Sequence, residues 1–513
     1  MNFTKKLIAN AFSAILVMGT FTTFTSCNGE DGIDGINGVD GQDGVDGSDG
    51  MDGQDLTDVE DNLIPLASSK TPNFLKVTSD FSHLKISSIL SSEDVIPETP
   101  DFIYGSMADG AGLLAEADGS FTLINNIEAD FSIARIKLNK DLRPVAGEYI
   151  LNAEATAATA QCSGSLITPE EHGFGPYYLS GGEWGGASKG VFITDPYKDI
   201  ADAGTKEMIE NMGQWSTENA VAIGKDAYPS KTVVFIGDDE SNDETPQGQF
   251  AMYVGDQGDL YGGKLYGLKV STEGIDYEVD MLEGNEYDAE FVELEETELE
   301  ALNAECNAKG VMGFSRVEDI DWRRGSAANN REIYFCVTGR DEIGLQGKGT
   351  ISGRIYKVSL NELDPTGPAK ITCVLDGDII GGTAAEFLSP DNILVTENYA
   401  YIQEDPAITG TDVKLHWARL YQYNLSTGEL KVVAECDQYR AMTLGYGDDS
   451  RWEITGMIDV TDIVENGKNT FLVMTQNHDW QPADGTSYAD PLANPTAFRN
   501  EGSVLHFITG LER

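Results

Sequence analysis

The sequence predicts a nearly all-β chain, for which a β-propeller is the natural architecture. Short apolar or alternating runs of strand length recur along the chain, separated by Gly, Asp and Asn at spacings that suit meanders. The 513 residues include 56 glycines and 40% apolar residues, which supply turns and core for a large repetitive β architecture. Helical periodicity is confined to patches such as 206–212 and 293–306, which we interpret as surface insertions. A pair of packed sandwiches is the alternative fold.

Residues 1–26 predict an export signal of the lipoprotein type. Lys5 and Lys6 precede an apolar run from Leu7 to about Phe24 that is short and interrupted by polar residues, unlike a membrane span. The ending Phe-Thr-Ser-Cys resembles a bacterial lipoprotein box, which implies cleavage before Cys27 and a lipid on its thiol. A plain signal peptide is the alternative. We expect an exported, membrane-anchored protein, periplasmic or on the cell surface, that contacts the membrane only through this lipid.

Residues 27–71 predict an acidic stalk between the lipid and the folded domain. From Gly29 to Gly53 every third residue is glycine, in triplets such as GID and GVD, and proline is absent from the repeat. Three such chains would repel one another without imino acids or opposite charges, so we expect an extended linker stiffened by self-repulsion. A collagen-like trimer is the alternative. Residues 72–513 then form one domain, which we expect to be monomeric.

The charge balance limits the possible partners. Lys and Arg total 34 against 86 Asp and Glu, a formal net charge of −52. Such a chain repels nucleic acids and anionic lipid surfaces, so no nucleic-acid partner is expected. A phosphate-bearing substrate is repelled as well, unless cations intervene.

Carboxylates follow several predicted strands. In a propeller the loops of all blades converge around the central axis, so acidic strand ends that are distant in sequence can meet in space. Crowded carboxylates raise one another's pKa values, and hard Ca²⁺ resolves the repulsion by taking ~6–8 oxygen ligands. Solvated turns in an acidic chain are the alternative. The five histidines form no pair at metal-ligand spacing, which argues against a zinc hydrolase. The acidic strand ends are Glu128, Asp238, Asp239, Glu240, Glu404 and Asp405.

An odd number of cysteines remains after Cys27 is assigned to the lipid. In an exported protein an unpaired thiol suggests a special role, although a small buried packing residue is the alternative. A bridge between Cys336 and Cys373 is left open. The remaining cysteines are Cys162, Cys306, Cys336, Cys373 and Cys436.

Seven motifs follow one another along the chain, at 121–128, 160–173, 235–240, 316–322, 390–393, 401–406 and 453–459. Their order resembles that of PhoX-type alkaline phosphatases, and the resemblance spans about residues 100–510. It implies a six-bladed β-propeller with loop and short-helix insertions, and Ca²⁺ and Fe³⁺ ions clustered at one mouth of the channel. It also implies hydrolysis of small-molecule phosphate monoesters.

The same resemblance assigns roles to individual residues. Arg316 would grip the substrate phosphate, for which a guanidinium fork is well shaped, and Glu318 beside it would bind metal. Cys162 would give a thiolate ligand to iron. No side-chain nucleophile is implied, in agreement with a sequence that lacks an evident Ser–His–Asp arrangement. The further metal ligands implied are Glu128, Glu170, Glu171, Asp238, Asp239, Glu240, Asn392, Glu404 and Asp405.

Two other functions fit the same sequence. One is a non-catalytic, calcium-stabilised surface propeller that binds glycans or proteins, since propellers host unrelated functions. The other is a phosphodiesterase or phytate-like activity on the same scaffold.

Overall fold

The structure is a computed structural model that describes residues 68–240, 242–406, 416–497 and 500–513. The predicted signal (1–26), the predicted lipidation site Cys27 and all but the last four residues of the predicted stalk (27–71) lie outside the described residues. The described chain begins against the domain, because the amides of Ser68 and Ser69 both donate to the carbonyl of Ser88. Within the described residues, each helix is too short or too polar to cross a bilayer.

Strands make up most of the regular structure, and consecutive strands are usually antiparallel neighbours. The strands are β1 (Leu75–Val77), β2 (Lys85–Ser91), β3 (Ala108–Ala115), β4 (Phe121–Ile127), β5 (Ser132–Leu138), β6 (Pro144–Leu151), β7 (Gln161–Ile167), β8 (Tyr177–Gly182), β9 (Gly190–Thr194), β10 (Thr217–Ala222), β11 (Lys231–Asp238), β12 (Gly248–Asp256), β13 (Lys264–Val270), β14 (Glu286–Leu294), β15 (Gly313–Phe314), β16 (Val317–Trp322), β17 (Glu332–Val337), β18 (Arg354–Ser359), β19 (Ala369–Asp376), β20 (Pro390–Val395), β21 (Tyr399–Glu404), β22 (Arg419–Asn424), β23 (Leu430–Cys436), β24 (Glu453–Asp459), β25 (Thr470–His478) and β26 (Glu501–Thr509). The α-helices are α1 (Pro169–His172), α2 (Leu299–Lys309), α3 (Gln438–Leu444) and α4 (Thr461–Val464).

The strands form meander sheets, which confirms the predicted all-β class and its propeller-like arrangement. Three small sheets follow chain order as β3–β6, β7–β9 and β20–β23, and a fourth contains β24–β26. β1 adds to the edge at β23 and β2 to the edge at β26, so the start of the domain pairs with its end. A larger sheet contains the meanders β10–β13 and β16–β19, joined because β14 pairs with both β13 and β19.

The first strand of each meander lies innermost. β3 contacts β7, β7 contacts β10, β10 contacts β16, β16 contacts β20, β20 contacts β24, and β24 returns to β3. These contacts close a ring around a common axis. All of these strands start at the same end of the ring, because each meander repeats the same up-and-down order.

Aromatic side chains pack the two meanders of the larger sheet face to face. Phe250 of β12 stacks on Phe335 of β17 with ring centroids 4.4 Å apart. Phe235 and Tyr356 extend the stack on either side, at 5.2 and 5.3 Å. These rings are fully buried, and burying each one stabilises the fold by roughly 1.5–3 kcal/mol. The inner strands are therefore held by a rigid packed core.

Two expectations from the sequence need correction. The helical periodicity of 206–212 does not give an α-helix, because Met208 bridges to Phe192 and only Glu210–Met212 form a 3₁₀ turn. The described cysteines are all buried and free. Cys336 of β17 and Cys373 of β19 flank β18, which places them about 10 Å apart, beyond the reach of a disulfide. The patch 293–306 does contain most of α2, which continues to Lys309.

Candidate metal centre

A β-bulge near the start of most inner strands brings acidic and thiol side chains to one end of the ring. In β10, for example, Thr217 pairs with Asp238 but Ala220 pairs with Ile236, so one extra residue is accommodated. Bulges commonly re-aim side chains beside functional sites. The side chains that this position directs to the site are Asp109, Cys162, Glu218, Glu318 and Asp391, one for each of β3, β7, β10, β16 and β20. In β24 the bulge comes later, and Glu453 opens the strand.

A second set of side chains comes from the ends of the neighbouring strands. Antiparallel pairing places the end of the second strand of a meander beside the start of the first. The residues at these ends are Glu128 after β4, Glu183 after β8, Asp239 after β11, Asp405 after β21 and His478 at the end of β25. We call the two sets together the acidic cluster.

One part of the acidic cluster contains a thiol. The ligand atoms of Glu128, Cys162 and Glu183 all lie within 4.8 Å of one another. The Cys162 thiol donates to Glu183 Oε2 at 2.9 Å, and Glu128 accepts hydrogen bonds from Trp184 Nε1 at 2.8 Å and Gln476 Nε2 at 3.0 Å. Burial and then the nearby Glu128 and Glu183 raise the pKa of the Cys162 thiol well above its ordinary value. A cation at this position would reverse that effect.

A second part of the acidic cluster consists of carboxylates alone. The ligand atoms of Glu218, Glu318 and Asp391 lie within 4.8 Å of one another, and all three side chains are buried. Glu218 also accepts a hydrogen bond from the Ser163 amide at 3.1 Å, which fixes its direction. Three oxygen ligands at this spacing match the preference of a hard cation.

Arg316 is the guanidinium that faces this cluster. Its Nε and Nη2 donate to the two carboxylate oxygens of Asp239 at 2.7 and 2.9 Å, and Nη2 lies 2.9 Å from Glu318 Oε1. The Asp239 and Glu318 side chains are 4% and 2% exposed, whereas the Arg316 side chain is 26% exposed. Arg316 also has φ +70°, a left-handed conformation that is uncommon for a residue other than glycine. The partly open guanidinium can therefore be reached by an anion from solvent.

The negative charge of the acidic cluster exceeds what its own cations balance. Burial raises the pKa values of Glu183, Glu218, Asp391 and Glu453 well above their ordinary range, and in each case the next cause is another carboxylate. Asn392, which is fully buried, has an Oδ1 without a hydrogen-bond partner among the described residues. Unbalanced carboxylates, a thiol and an orphan amide oxygen form a donor set that fits several metal ions.

The residues that follow the acidic and thiol positions in the bulges connect both neighbouring and opposite strands of the ring. Asn392 Nδ2 donates to Ser163 Oγ at 3.0 Å, and Asp319 Oδ2 accepts from the Ile393 amide at 3.0 Å. Asn219 Nδ2 donates to the other oxygen of Asp319. These links cross between β7, β10, β16 and β20 and hold the acidic strand starts together.

Several sequence-predicted ligands face the scaffold instead of the cluster. Asp238 accepts the amides of Ser216 at 2.9 Å and Gln249 at 3.3 Å. Glu404 accepts from the Leu388 amide at 2.8 Å and the Tyr421 hydroxyl at 3.1 Å. Side chains alternate along an extended strand, so the next residues, Asp239 and Asp405, point to the opposite side.

Three more predicted ligands lie elsewhere. Cys162 is near the start of β7, and Glu170 and Glu171 follow its far end in α1, so a strand length of about 20 Å separates them from Cys162. Glu171 forms an ion pair with Arg324 at 3.4 Å, and Glu170 is exposed. Glu240 is partly exposed, and after burial its charge is the next cause that raises the pKa of the scaffold-facing Asp238.

The structure thus brings together Glu128, Cys162, Asp239, Arg316, Glu318 and Asp405 of the predicted residues, with Asn392 directly below. It adds residues that sequence reasoning missed, among them His478, whose Nδ1 lies 2.7 Å from Glu501 Oε2. A signal for the missed carboxylates was present in the sequence. The segments ADGAG, TENAV, VEDID and PDNIL each carry an acid at the second residue of an inner strand, in the four meanders that begin with β3, β10, β16 and β20. The missed residues are Asp109, Glu183, Glu218, Asp391, Glu453 and His478.

Comparison with known proteins gives a fold but no sequence family. No protein-family model matches the chain, and no curated protein matches it either. A solved structure of Pseudomonas fluorescens PhoX in complex with vanadate, a transition state analogue, superposes with a TM-score of 0.58 at 14% identity, covering 87% of this chain and 97% of that one. The described fold is PhoX-like.

Other solved structures are less similar to this chain. The PQQ-bound aldose sugar dehydrogenase of Streptomyces coelicolor has a TM-score of 0.34 at 10% identity and covers 83% of this chain and 98% of its own. A GH43 β-1,3-galactosidase has a TM-score of 0.34 at 12% identity, covering 81% and 94%.

Proposed function

We propose that this chain is an exported, metal-dependent phosphatase that hydrolyses phosphate monoesters and releases inorganic phosphate. The observation that carries the proposal is the acidic cluster itself, in which buried carboxylates and one thiol surround a single partly open arginine. An anionic ester approaching a chain of charge −52 needs local positive charge, and bound cations beside Arg316 supply it. The PhoX-like fold supports the same activity.

The proposal includes six blades. The larger sheet counts as two of them, β10–β13 and β16–β19, with β14 bridging their outer edges. Two observations support this count. The closed ring of contacts contains six inner strands, and the stack of Phe250 on Phe335 packs the two meanders face to face, as neighbouring blades pack.

The donor sets suggest which residues hold which ion. Glu128, Cys162 and Glu183 combine a soft sulfur with two carboxylates, which suits Fe³⁺. The oxygen-only group of Glu218, Glu318 and Asp391 suits Ca²⁺. When bound, such ions lower the pKa of a coordinated water and neutralise charge on the transferring phosphoryl group.

The chain's own residues supply binding and orientation. Arg316 offers its guanidinium to the phosphate oxygens, while Asp239 and Glu318 hold that group from behind through the contacts at 2.7–2.9 Å. Because each partner is almost fully buried, the guanidinium is directed before substrate arrives. The expected partners are small-molecule phosphate esters, with the protein a monomer tethered through Cys27.

A metal analysis combined with a chromogenic assay tests the proposal. A soluble Cys27→Ala form of the full chain should contain iron and calcium and should hydrolyse a chromogenic phosphomonoester. Chelation should abolish turnover, and re-addition of Ca²⁺ with iron should restore it. A protein that binds both metals but hydrolyses no ester would favour the binding propeller, and faster cleavage of a diester would favour the phosphodiesterase. Absence of both metals would overturn the proposal.

A further inference from the structure

Glu278 is a buried carboxylate that the proposed chemistry does not use. It lies in the 3₁₀ turn Glu278–Asp280, within the excursion between β13 and β14, and its side chain is fully buried. Its Oε1 accepts two backbone amides, from Ser315 at 2.9 Å and from Thr350 at 3.0 Å. Burying a carboxylate costs free energy of folding unless hydrogen bonds compensate for the lost water. A carboxylate retained at this position therefore suggests a specific role.

The first of these amides belongs to the turn that carries the phosphate-binding arginine. Ser315 precedes Arg316, and the turn joins β15 to β16 with Arg316 in the left-handed conformation at φ +70°. The turn is also held by its carbonyls: Gly339 donates to Ser315 O at 3.0 Å and Thr338 donates to Arg316 O at 3.2 Å. The Glu278 carboxylate thus holds this strained turn by accepting the backbone amide of Ser315.

The second amide is that of Thr350, in the loop between β17 and β18. The same loop also contacts the turn directly, through the amides of Thr338 and Gly339. Thr350 Oγ1 donates to Asp378 at 2.7 Å, so the loop is fixed at a further point. The backbone of Glu278 is itself secured, because Arg354 donates to Glu278 O at 2.9 Å and pairs with Asp376 at 2.6 Å. A continuous set of buried contacts therefore runs from Asp376 through Arg354 and Glu278 to the turn.

We infer that Glu278 is a positioning residue for Arg316: its carboxylate clamps the turn 314–317 to the loop around Thr350 and so sets the direction of the guanidinium. The effect of Glu278 on catalysis rests on the proposed function. The hydrogen bonds by which Glu278 holds the turn do not depend on that function. Glu278 and Met281 are the buried residues of this excursion between β13 and β14.

Two substitutions separate hydrogen bonding from bulk. Glu278→Gln keeps an oxygen that can accept both amides, whereas Glu278→Ala removes it. In the Cys27→Ala full chain we expect hydrogen exchange at the amides of Ser315 and Thr350 to accelerate in Glu278→Ala and to stay near the parent rate in Glu278→Gln. The phosphomonoester kcat/KM should fall by ~10- to ~100-fold in Glu278→Ala, the size expected for a displaced binding group.

A double-mutant cycle shows whether the effect passes through Arg316. When Arg316 is already alanine, Glu278→Ala should change kcat/KM by less than about twofold, because the group that it positions is gone. The matched control is Asp490→Ala, which removes another buried carboxylate that accepts two amides, from Ile103 at 2.9 Å and Leu492 at 2.7 Å. This control should leave kcat/KM unchanged.

Three results would overturn the clamp: unchanged exchange at Ser315 and Thr350 in Glu278→Ala, an equal loss of activity with or without Arg316, or the same loss in Asp490→Ala. A parent protein without phosphomonoesterase activity would overturn the proposed function instead. The exchange rates would then still decide the clamp.

Discussion

The two ends of strand β16 carry the same kinds of residue in opposite states of charge balance. At its start, Glu318 lies beside Glu218 and Asp391, and Arg316 forms ion pairs with Glu318 and Asp239. At its far end, Asp321 accepts hydrogen bonds from its own arginine, Arg324, and from the Val395 amide at 2.6 Å. Arg324 in addition pairs with Glu171 and lies 4.3 Å above the ring of Trp322.

This difference separates structural from functional charge. Buried carboxylates are costly, and a fold that needs them only for stability pairs them, as the Arg324 end does. At the Glu318 end the pairing is incomplete although the strand and its neighbours are the same. The excess negative charge at that end is therefore best explained by ligands that arrive as cations.

The largest contrast should come from Glu218→Gln at the Glu318 end. We expect phosphatase activity to fall by about 100-fold or more, because one cation ligand is lost. The melting temperature of the metal-free protein should rise, since one of several repelling carboxylates becomes neutral and the bond from the Ser163 amide survives. Activity assays check the loss of turnover, and thermal melts of the metal-free protein check the rise in melting temperature. A lower metal-free melting temperature would contradict the repulsion argument.

Arg324→Met should have the opposite signature. It leaves Asp321 buried without its cation, which typically costs ~3–5 kcal/mol of the free energy of unfolding. The kcat/KM of the folded fraction should be unchanged, because this end of the ring does not meet substrate. Denaturant unfolding, at a temperature where the variant is folded without denaturant, measures the change in the free energy of unfolding. Loss of activity in fully folded variant would show that the two ends are coupled.

Arg316→Ala should keep every metal and lose affinity for phosphate. Truncating the charged partner of a buried anion typically costs ~2–5 kcal/mol, which we expect to see in kcat/KM and in inhibition by inorganic phosphate. Metal content measured on the same sample distinguishes loss of the clamp from loss of the ions. Normal hydrolysis by this variant would place the phosphate clamp on another residue.

Cys162→Ser should divide the acidic cluster itself. A hydroxyl does not hold iron as a thiolate does, so iron content and activity should fall while calcium and the melting temperature are largely kept. Cys306→Ser is a matched control, since Cys306 is equally buried but lies in α2, outside the cluster. Wild-type iron content and turnover in Cys162→Ser would mean that this thiol only packs.

The smallest effect is the dependence of stability on pH without metal. Glu183, Glu218 and Asp391 have raised pKa values, so between their ordinary and their raised values the native state binds more protons than the unfolded state. Their contribution to the free energy of unfolding therefore decreases as pH rises. Burial would raise the pKa of Glu171 too, but Arg324 prevails and lowers it, so its contribution is lost as pH falls through that lowered value.

Thermal melts of the metal-free protein at about pH 5 and about pH 8 should thus show higher stability at the lower pH. Glu171→Gln should leave this difference nearly unchanged, because the lowered pKa of Glu171 keeps its carboxylate ionised at both pH values. Metal-loaded protein should lose or reverse the trend, since bound cations stabilise the ionised carboxylates.

Local patterns predicted the part of the site that lies in recognisable strand ends. Glu128 follows a strand that is buried along its whole length, and the acids after TVVFIG and YAYIQ mark two more strand ends, so these positions could be assigned from sequence. Which of two neighbouring residues faces the ring axis could not be assigned from sequence. Asp239 rather than Asp238 faces the cluster because side chains alternate at the end of β11, and Asp391 does so because of a bulge whose position depends on the partner strand.

The sequence by itself determined the all-β class, the meander order and the excess of negative charge, because alternation, turn residues and composition are local properties of the chain. Tertiary structure alone decided which carboxylates meet. Glu218, Glu318 and Asp391 are separated by 100 and 73 residues (318 − 218 and 391 − 318), and only the closure of the inner strands into a ring brings them within 4.8 Å. Tertiary structure also places Glu170 and Glu171 at the end of the ring opposite the acidic cluster. The seven extended residues of β7 separate these two glutamates from Cys162 at the start of that strand.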